Sequence, residues 1–512
     1  MSALPEINLC IVQPAGYVHS LGLLDQARYF RHQFRRLGAS VSLAKNRLRH
    51  DAVNFVFGAH LGFDPALCQR QTCIFVNLEQ LGEGGAKVSP EYLQLLATSA
   101  VVDYDADNLA SYAQDAQDVP LVPFLYAPYL TPAEPVPLEE RPIDLLFYGS
   151  MNARRRAWLD RIEALGFNIA MFDAPLYGPE RDQYIAQAKV VLNVPFYETS
   201  RFEQARVSHC LSLGTPVISE RTELSNPHPA FEDTVLFLQG DELEQFFSED
   251  CGTPEFYDTM RAAVERFRSA DPIEAYADLM GFARGYAGAH KERRDNTAWQ
   301  PTHIRLGAGD GYQSGWLNID VSAAAQPDLL CDLSRPLALP ATLSSPLAGP
   351  IELREGSVER IHAGPLLAQA ADLDTLMAQC LRLLQLGGEM DIVLPAGPGA
   401  MPAAGQRALD ETSWLPYVDA FWSIGWFTHR FELTGLTWLD AEQRSCHKER
   451  ANLLHLRLRK TETTLQERTA ARTLQTDFGG VPDDLPAVYC EAPPLWARAH
   501  AASDPQLHAV SA

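Results

Sequence analysis

Short apolar runs alternate with amphipathic helical patterns along most of the chain, and this alternation restricts the fold more than any other feature. The run INLCIVQPAG resembles a strand that ends in a Gly/Pro turn. The segment LLDQARYFRHQFRRLG that follows has one apolar helical face and a glycine stop. Strands and helices repeated in this order are typical of parallel sheets with helical crossovers. The sequence therefore predicts the α/β class.

Linker composition predicts where the domains divide. A chain of 512 residues is too long for one ordinary core. The Pro-rich stretch LTPAEPVPLEERPID and the polar stretch HKERRDNTAWQPTH interrupt the strand–helix alternation. We expect three α/β domains over residues 1–135, 136–295 and 296–465, followed by an extension over 466–512. The first two form tandem Rossmann-like units with a cleft between them, because doubly wound sheets bind ligands at the carboxyl ends of their strands.

Charge and cysteine usage exclude several classes of function. The net charge is −23 and basic residues cluster only locally, which argues against a nucleic-acid partner. No apolar run reaches the roughly 20 residues of a membrane span, and the N-terminus lacks the pattern of a signal peptide. The nine cysteines show neither C-x-x-C nor zinc spacing. We expect a cytoplasmic protein with reduced thiols, no metal and no transmembrane segment; a homo-oligomer is compatible with these features.

An arginine cluster follows a predicted strand in IDLLFYGSMNARRR. Gly149 and Ser150 allow a tight turn, and Asn152 can cap the next helix. Arg154 and the two arginines after it then lie in the first helical turn, where positive charge opposes the helix dipole. A bound diphosphate would reverse this cost, since backbone N–H groups and arginines would converge on one anion. The alternative is that the arginines simply extend into solvent.

A second candidate cluster lies in FYETSRFEQARVSHCLSLG. Ser200 and Glu203 fit a capping box, which makes a structural role for Glu203 one interpretation. Glu203 and Arg206 are also i, i+3 neighbours at the start of a helix, where a doubly wound sheet places its ligand crevice. In the functional interpretation, Glu203 binds ribose or sugar hydroxyls and Arg206 binds a phosphate. The sequence leaves both interpretations open.

A glycine-rich turn opens the third domain in IRLGAGDGYQSGWLNIDV. Gly307 and Gly309 follow a short strand, and a second strand ends on Asp320, a pattern typical of nucleotide-binding folds. Only eleven residues separate Gly309 from Asp320, too few for a full crossover helix between parallel strands. Further on, Gly387–Gly388 predicts a turn before the strand EMDIVLP.

The segments NLEQ, DLLFYGSMNARRR, VVLNVPFYE and FEQARVSHCLSLGTPVISE resemble a family of bacterial GT-B-like glycosyltransferases. The resemblance covers most of residues 50–225. It implies a nucleotide-diphosphate sugar as donor on the second domain, a glycan or protein acceptor on the first, and no metal. The donor-binding residues that it implies are Gly149, Ser150, Asn152, Arg154, Tyr197, Glu203 and Arg206.

The same resemblance implies that a catalytic base comes from the first domain, near the cleft. Three residues lie at predicted carboxyl ends of strands in that domain, namely His19, His60 and Glu79. A lone histidine is more often structural, so the sequence does not choose among them.

The third domain is similar to the S-adenosylmethionine (SAM)-dependent methyltransferase fold in LGAGDG, the CDL at 331–333 and the late LGGEMDIVLP. This likeness implies a cofactor held by Gly307, Gly309 and Asp320, with Asp332 near the adenine. The segment IHAGPLLAQAADLD departs from the His-Val-Leu-Glu-His-like run of that family, which puts turnover in doubt.

Three hypotheses follow from the two resemblances. The chain is a bifunctional glycosyltransferase–methyltransferase, a glycosyltransferase with a non-catalytic methyltransferase-like module, or a scaffold in which both parts have lost their chemistry. Binding of SAM separates the first two. Binding of a nucleoside diphosphate separates both from the third.

Overall fold

The computed structural model describes residues 5–172, 175–197, 199, 201–294, 296–307, 309–396 and 407–474. The chain divides into two compact units, Met1–Asp295 and Asn296–Ala512, called the N-terminal and C-terminal units below.

The N-terminal unit begins with a five-stranded parallel sheet in the order β2-β1-β3-β4-β5. Its strands are β1 (Ile7–Ile11), β2 (Val41–Lys45), β3 (Val53–Phe57), β4 (Thr72–Val76) and β5 (Ala100–Val102). Its helices are α1 (Leu23–Arg36) and α2 (Pro90–Thr98). On the predicted apolar face of α1, Ala27, Phe30 and Phe34 are fully buried against the sheet. We call this part the N-half.

A second five-stranded parallel sheet follows in the same unit, in the order β10-β9-β8-β6-β7. Its strands are β6 (Ile143–Phe147), β7 (Ile169–Met171), β8 (Ala188–Asn193), β9 (Val217–Glu220) and β10 (Leu236–Leu238). The helices are α3 (Ala153–Glu163), α4 (Pro179–Gln187), α5 (Gln204–Ser212), α6 (Pro229–Glu232), α7 (Leu243–Glu249) and α8 (Pro254–Phe267). We call this part the C-half.

The long helix α9 (Ile273–Arg293) joins the two halves. It follows the C-half in sequence, yet its side chains Tyr276, Leu279 and Met280 are buried in the core of the N-half. Two tandem Rossmann-like sheets tied together in this way are the GT-B arrangement that the sequence predicts.

The start of α3 confirms one local prediction and corrects another. The Asn152 side-chain oxygen accepts a hydrogen bond from the Arg155 backbone N–H at 2.8 Å, so Asn152 caps the helix as expected. Trp158, Leu159 and Ile162 form its buried stripe. The apolar spacing of the sequence predicts Leu165 in the same stripe, but this residue is 37% exposed because the helix has ended at Glu163.

The C-terminal unit contains a seven-stranded sheet in the order β13-β12-β11-β16-β17-β19-β18. Its strands are β11 (His303–Leu306), β12 (Leu317–Asp320), β13 (Leu329–Leu330), β16 (Val358–Ala363), β17 (Leu384–Pro395), β18 (His429–Leu439) and β19 (Leu453–Glu462), with a separate hairpin of β14 (Ala341–Ser345) and β15 (Gly349–Leu353). Its helices are α10 (Leu373–Leu383), α11 (Leu415–Val418) and α12 (Leu465–Leu474). Strand β19 runs antiparallel to both of its neighbours, and the other pairs are parallel.

Two glycine-containing segments of this unit test the sequence predictions. Between β11 and β12 the described residues contain only the short 3-10 helix Gly309–Gly311, as the eleven-residue spacing predicted. The predicted turn at Gly387–Gly388 is wrong, since both glycines lie inside β17. Gly387 has a φ of 79° and the register against β16 is irregular here, so the pair marks a bulge. The unit has a Rossmann-like, mostly parallel sheet, and the described residues of both units are of the α/β class.

Candidate functional site

A cleft of about 400 Å³ in the N-terminal unit is lined by side chains from both halves. Of the predicted donor residues, Tyr197, Glu203 and Arg206 line it, and of the predicted catalytic residues, His19 and Glu79 do. The N-half residues come from the start of α1 and from segments after β4 and β5, and the C-half residues come from α5 and the segments after β6 and β8, with Arg181 on α4. Carboxyl ends of parallel strands and the helix starts that follow them are where doubly wound sheets bind ligands.

Gly149, which follows β6, lies in contact distance of the guanidinium groups of two arginines. Its φ is 129°, and a Cβ at this position would lie 3.0 Å from Nη2 of Arg206 and 3.1 Å from Nη1 of Arg155. Only glycine combines this backbone conformation with so close an approach. The predicted tight turn therefore positions guanidinium groups beside the cleft.

Glu203 is held between these two arginines. Its Oε1 accepts a hydrogen bond from Arg155 at 3.0 Å, and its Oε2 lies 2.7 Å from Nη1 of Arg206. Glu203 is the N-cap residue of α5, but its side chain makes no capping bond. Ser200, its partner in the predicted capping box, lies outside the described residues. The Glu203 side chain therefore does not cap α5. A role in ligand binding stays open.

Glu203 and Arg206 form an ion pair at 2.7 Å whose hydrogen-bond geometry is poor. Both Oε2 of Glu203 and Nη1 of Arg206 are buried, and neither has an aligned hydrogen bond within the described part of the chain. Burial alone lowers the pKa of Arg206, but Glu203 and the neighbouring Tyr148 outweigh it and raise the pKa above its ordinary value. Arg206 is therefore a permanent cation with hydrogen-bonding capacity left at the cleft.

The three arginines of NARRR have three different environments. Arg155 is 2% exposed and donates to the carbonyl groups of Val194 and Ser150, both at 2.8 Å, in addition to Glu203. Burial lowers its pKa to about 10. Arg154 donates to Glu220 at 2.7 Å and to the Pro195 carbonyl at 2.8 Å.

The third arginine, Arg156, pairs with Asp160 and Glu163 on the helix surface. Ser150, Asn152 and Arg154 are not among the residues that line the cleft. A donor role for these three residues stays a prediction.

Arg181 and His209 line the cleft but were missed by sequence reasoning. Arg181, on α4, lies 2.7 Å from Asp25 of α1 and 2.9 Å from Nε2 of His209 on α5. Asp182 lies 2.8 Å from the same histidine nitrogen. Asp25 and Arg181 are 156 residues apart, and no local pattern relates them. This cluster joins the two halves at the cleft.

His60 and Glu79, both candidate bases, lie together. Nε2 of His60 is 3.5 Å from Oε1 of Glu79, and of the two only Glu79 lines the cleft. The backbone carbonyl of Glu79 accepts hydrogen bonds from the side chains of Asn77 and Asn108, each at 3.0 Å. The chain therefore positions one carboxylate at the cleft, with an imidazole beside it.

His19, the third candidate, lies in the 3-10 helix Val18–Gly22 and also lines the cleft. Its Nδ1 is 2.8 Å from the hydroxyl of Tyr177, which belongs to the C-half. His19 thus lies at the boundary of the two halves.

In the C-terminal unit, the predicted cofactor residues lie at the carboxyl ends of three adjacent strands. Gly307 follows β11, Asp320 ends β12 and Asp332 follows β13. Gly307 has a φ of 79°, and a Cβ there would lie 3.0 Å from Cβ of Leu366. Gly309 has a φ of 35° and begins the 3-10 helix.

The two carboxylates differ in their availability. Asp320 is buried, and its Oδ1 accepts a hydrogen bond from the Ser322 backbone N–H at 2.8 Å. Asp332 accepts from both the backbone N–H and the hydroxyl of Ser334, at 3.0 and 2.6 Å, and lies 3.3 Å from Arg335. The hydrogen bonds of Asp332 are therefore largely local.

Within the described residues, no group of three or more His, Cys, Asp or Glu side chains could hold a metal ion. Likewise, no helix among them has both the length and the apolar character needed to cross a bilayer.

Comparison with known proteins gives likenesses of fold. No protein-family model matches the chain, and no curated protein matches it. The solved structure of WaaG, a glycosyltransferase involved in lipopolysaccharide biosynthesis, is 13% identical over 55% of this chain and 100% of that one, with a TM-score of 0.36. Anabaena Alr3699/HepE, solved in complex with UDP and glucose, is 11% identical over 54% of this chain and 98% of that one, with a TM-score of 0.36.

An S-adenosylmethionine-dependent methyltransferase from Mesorhizobium loti is 16% identical over 34% of this chain and 96% of its own, with a TM-score of 0.19. The glycosyltransferase and methyltransferase classes are the two that the sequence resembles. Since identities and scores are this low, the function below is argued from the geometry of the chain.

Proposed function

We propose that the N-terminal unit is a glycosyltransferase that transfers a sugar from a nucleoside-diphosphate donor to an acceptor hydroxyl on a glycan or protein. The observation that carries this proposal is the pair formed by Arg206 and Glu203 at the cleft. Each group keeps hydrogen-bonding capacity beyond this 2.7 Å ion pair, because a guanidinium has several N–H donors and a carboxylate has several acceptor positions. Diphosphate oxygens would accept from Arg206, and sugar or ribose hydroxyls would donate to Glu203.

In this scheme the residues act on one displacement. The acceptor oxygen attacks the anomeric carbon, the bond from that carbon to the diphosphate oxygen breaks, and the acceptor proton moves to Glu79. Arg206 stabilises the charge that develops on the leaving diphosphate. His60 positions Glu79, while Asp25 holds Arg181 where it adds positive potential to the same wall.

Titration calorimetry of the full chain with UDP, GDP, dTDP and CMP tests the donor site. We expect one nucleotide to bind, with an affinity lowered about 10- to 100-fold by Arg206→Ala, since hydrogen bonds to charged groups contribute about 1.5–3 kcal/mol. Arg206→Lys keeps the charge and should lose less. Arg221, which pairs with Glu232 on the surface of the same half, provides the matched control Arg221→Ala. Failure of every nucleotide to bind would leave the scaffold hypothesis.

Glu79→Gln tests the base. We expect the transfer rate to fall by about 10²–10⁴ while nucleotide affinity stays unchanged, because the amide retains the shape but cannot accept the proton. His60→Asn should reduce the rate less and shift its pH profile. Equal rates for wild type and Glu79→Gln would remove Glu79 from the mechanism.

A second candidate function concerns the C-terminal unit, which we propose binds SAM. The supporting observation is that Gly307, Asp320 and Asp332 lie at the carboxyl ends of adjacent strands β11, β12 and β13. Gly307 lets the backbone approach the ligand closely, and Asp320 can accept the ribose hydroxyls. When bound, the cofactor supplies an electrophilic methyl group. Asp332 fits less well, since its oxygens are already bonded.

Titration with SAM and S-adenosylhomocysteine tests this second candidate. We expect Asp320→Ala to abolish measurable binding and Asp332→Ala to weaken it far less. Binding without methyl transfer would identify a non-catalytic module. Absence of binding would leave the glycine-rich turn as a relic of ancestry.

A further inference from the structure

Charge is segregated across the cleft of the N-terminal unit. Both arginines that line it, Arg181 and Arg206, come from the C-half. Among the described residues that line the wall of the N-half there is no lysine or arginine, but there are two carboxylates, Asp25 and Glu79. An anionic ligand group therefore has arginine partners on one wall only, and the wall of the N-half adds no basic side chain beyond the imidazole of His19.

Several polar groups on the wall of the N-half already form hydrogen bonds or ion pairs within the protein. Asp25 bonds to Arg181 at 2.7 Å. Gln80 donates to the Thr199 carbonyl at 2.8 Å and accepts from the Arg201 backbone N–H at 3.3 Å. Glu79 is different, because its carboxylate lines the cleft with a 31% exposed side chain.

The side-chain oxygen of Gln26 is a hydrogen-bond acceptor to which no described group donates. Its Oε1 is buried in the cleft wall and has no hydrogen bond within the described part of the chain. In this orientation of the amide, an ionised carboxylate or phosphate cannot satisfy the oxygen, because such a group only accepts hydrogen bonds. A hydroxyl can satisfy it, and a second hydroxyl can donate to Glu79. The rings of Tyr104 and Phe124 complete this part of the cleft with apolar surface.

We propose that the acceptor is an uncharged saccharide, whose hydroxyls bond to Gln26 and Glu79 on the wall of the N-half. This inference rests on the proposed glycosyltransferase function and narrows its substrate class. An acidic sugar in the same place would meet Glu79 at close range, and like charges brought together in a partly desolvated site repel strongly. The charge of the cleft wall thus selects against uronate and phosphorylated acceptors.

Saturation-transfer NMR on the full chain, with its nucleoside diphosphate bound, tests the inference. The probes are methyl glycosides of glucose, galactose and N-acetylglucosamine, each paired with an acidic counterpart: the glucuronide, the galacturonide and the 6-phosphate. We expect each neutral glycoside to bind at least about tenfold more tightly than its acidic counterpart. Gln26→Lys should reduce this preference, and Gln26→Leu should weaken neutral binding without improving acidic binding. Gln94, exposed on α2, gives the control Gln94→Lys.

The outcomes separate this inference from the proposed function. If no nucleotide binds, the glycosyltransferase proposal itself fails. If a nucleotide binds but acidic glycosides match the neutral ones, or if neither series binds, the acceptor inference is overturned and the donor site stands. Transfer to a peptide hydroxyl in preference to every saccharide would also overturn it. Thermal unfolding of Gln26→Lys and Gln26→Leu at the temperature of the wild type shows that both variants are folded.

Discussion

The first sheet of the N-terminal unit and the sheet of the C-terminal unit are covered differently. Every residue of β1, β3 and β4 is buried. Along β16 and β17, by contrast, buried residues alternate with more exposed ones. Several of the more exposed side chains are charged and pair across strands, as Arg360 does with Glu389 at 3.0 Å and His455 with Asp391 at 3.1 Å.

The difference follows from the connections between the parallel strands. Parallel sheets are normally buried on both faces, because their crossovers place helices on each side. In the described residues, β11 and β12 are joined by a 3-10 helix, β12 and β13 by another, and β13 and β16 by the hairpin β14–β15, so that only α10 forms a helical crossover. Charged side chains, rather than helices, therefore cover part of the other face. Two sheets of one fold class should therefore respond differently to substitution.

The largest loss of stability should come from placing a charge on a sheet face that is buried, as a comparison of Val56 and Val393 tests. Val56 on β3 is fully buried, and Val56→Lys should destabilise the N-terminal unit by about 3–5 kcal/mol, because the charge would be buried without a partner. Val393 on β17 is half-buried near Asp391 and faces His455, so Val393→Lys should change stability by less than about 1 kcal/mol. Hydrogen-exchange mass spectrometry in increasing denaturant reports each strand separately. Equal losses would mean that the face of β17 is buried in solution.

A second contrast of similar size concerns two arginines that are already present. Arg155→Met should cost about 3–5 kcal/mol, since Glu203 and two buried carbonyls lose their donor. Arg459 pairs with Glu432 on the exposed face at 2.6 Å, and Arg459→Met should cost less than about 1 kcal/mol. Denaturant midpoints of the two variants check this. A large loss for Arg459→Met would contradict the description of an open face.

The smallest effect is the pH dependence that His362 gives to the stability of the C-terminal unit. Burial lowers the pKa of His362, and Arg305 beside it lowers it further. The unfolded chain then binds the proton more readily, so stability is complete above the unfolded pKa of about 6.5 and falls as the pH drops through it. His362→Asn should reduce this loss between about pH 7 and 5, where one group contributes at most about 1.4 kcal/mol per pH unit. An unchanged slope in the variant would assign the dependence to other groups.

Local chemistry made part of the fold and site predictable. The cap at Asn152 and the short connection before Asp320 depend on residues close together in sequence, and both were predicted. The turn at Gly387–Gly388 was wrong because a bulge and a turn both use glycine at positive φ, and only the pairing partner of the strand distinguishes them.

The sequence by itself determined the α/β class, the tandem order of the sheets and the presence of Glu79, Glu203 and Arg206 near strand ends. These properties follow from hydrophobic periodicity and turn residues, which act over a few positions. Only the tertiary structure decided which arginine of NARRR is buried, that His60 lies beside Glu79, and that Arg181 meets Asp25 across 156 residues. The physical reason is that packing brings distant segments together, and the charge and hydrogen bonds of a site depend on those neighbours.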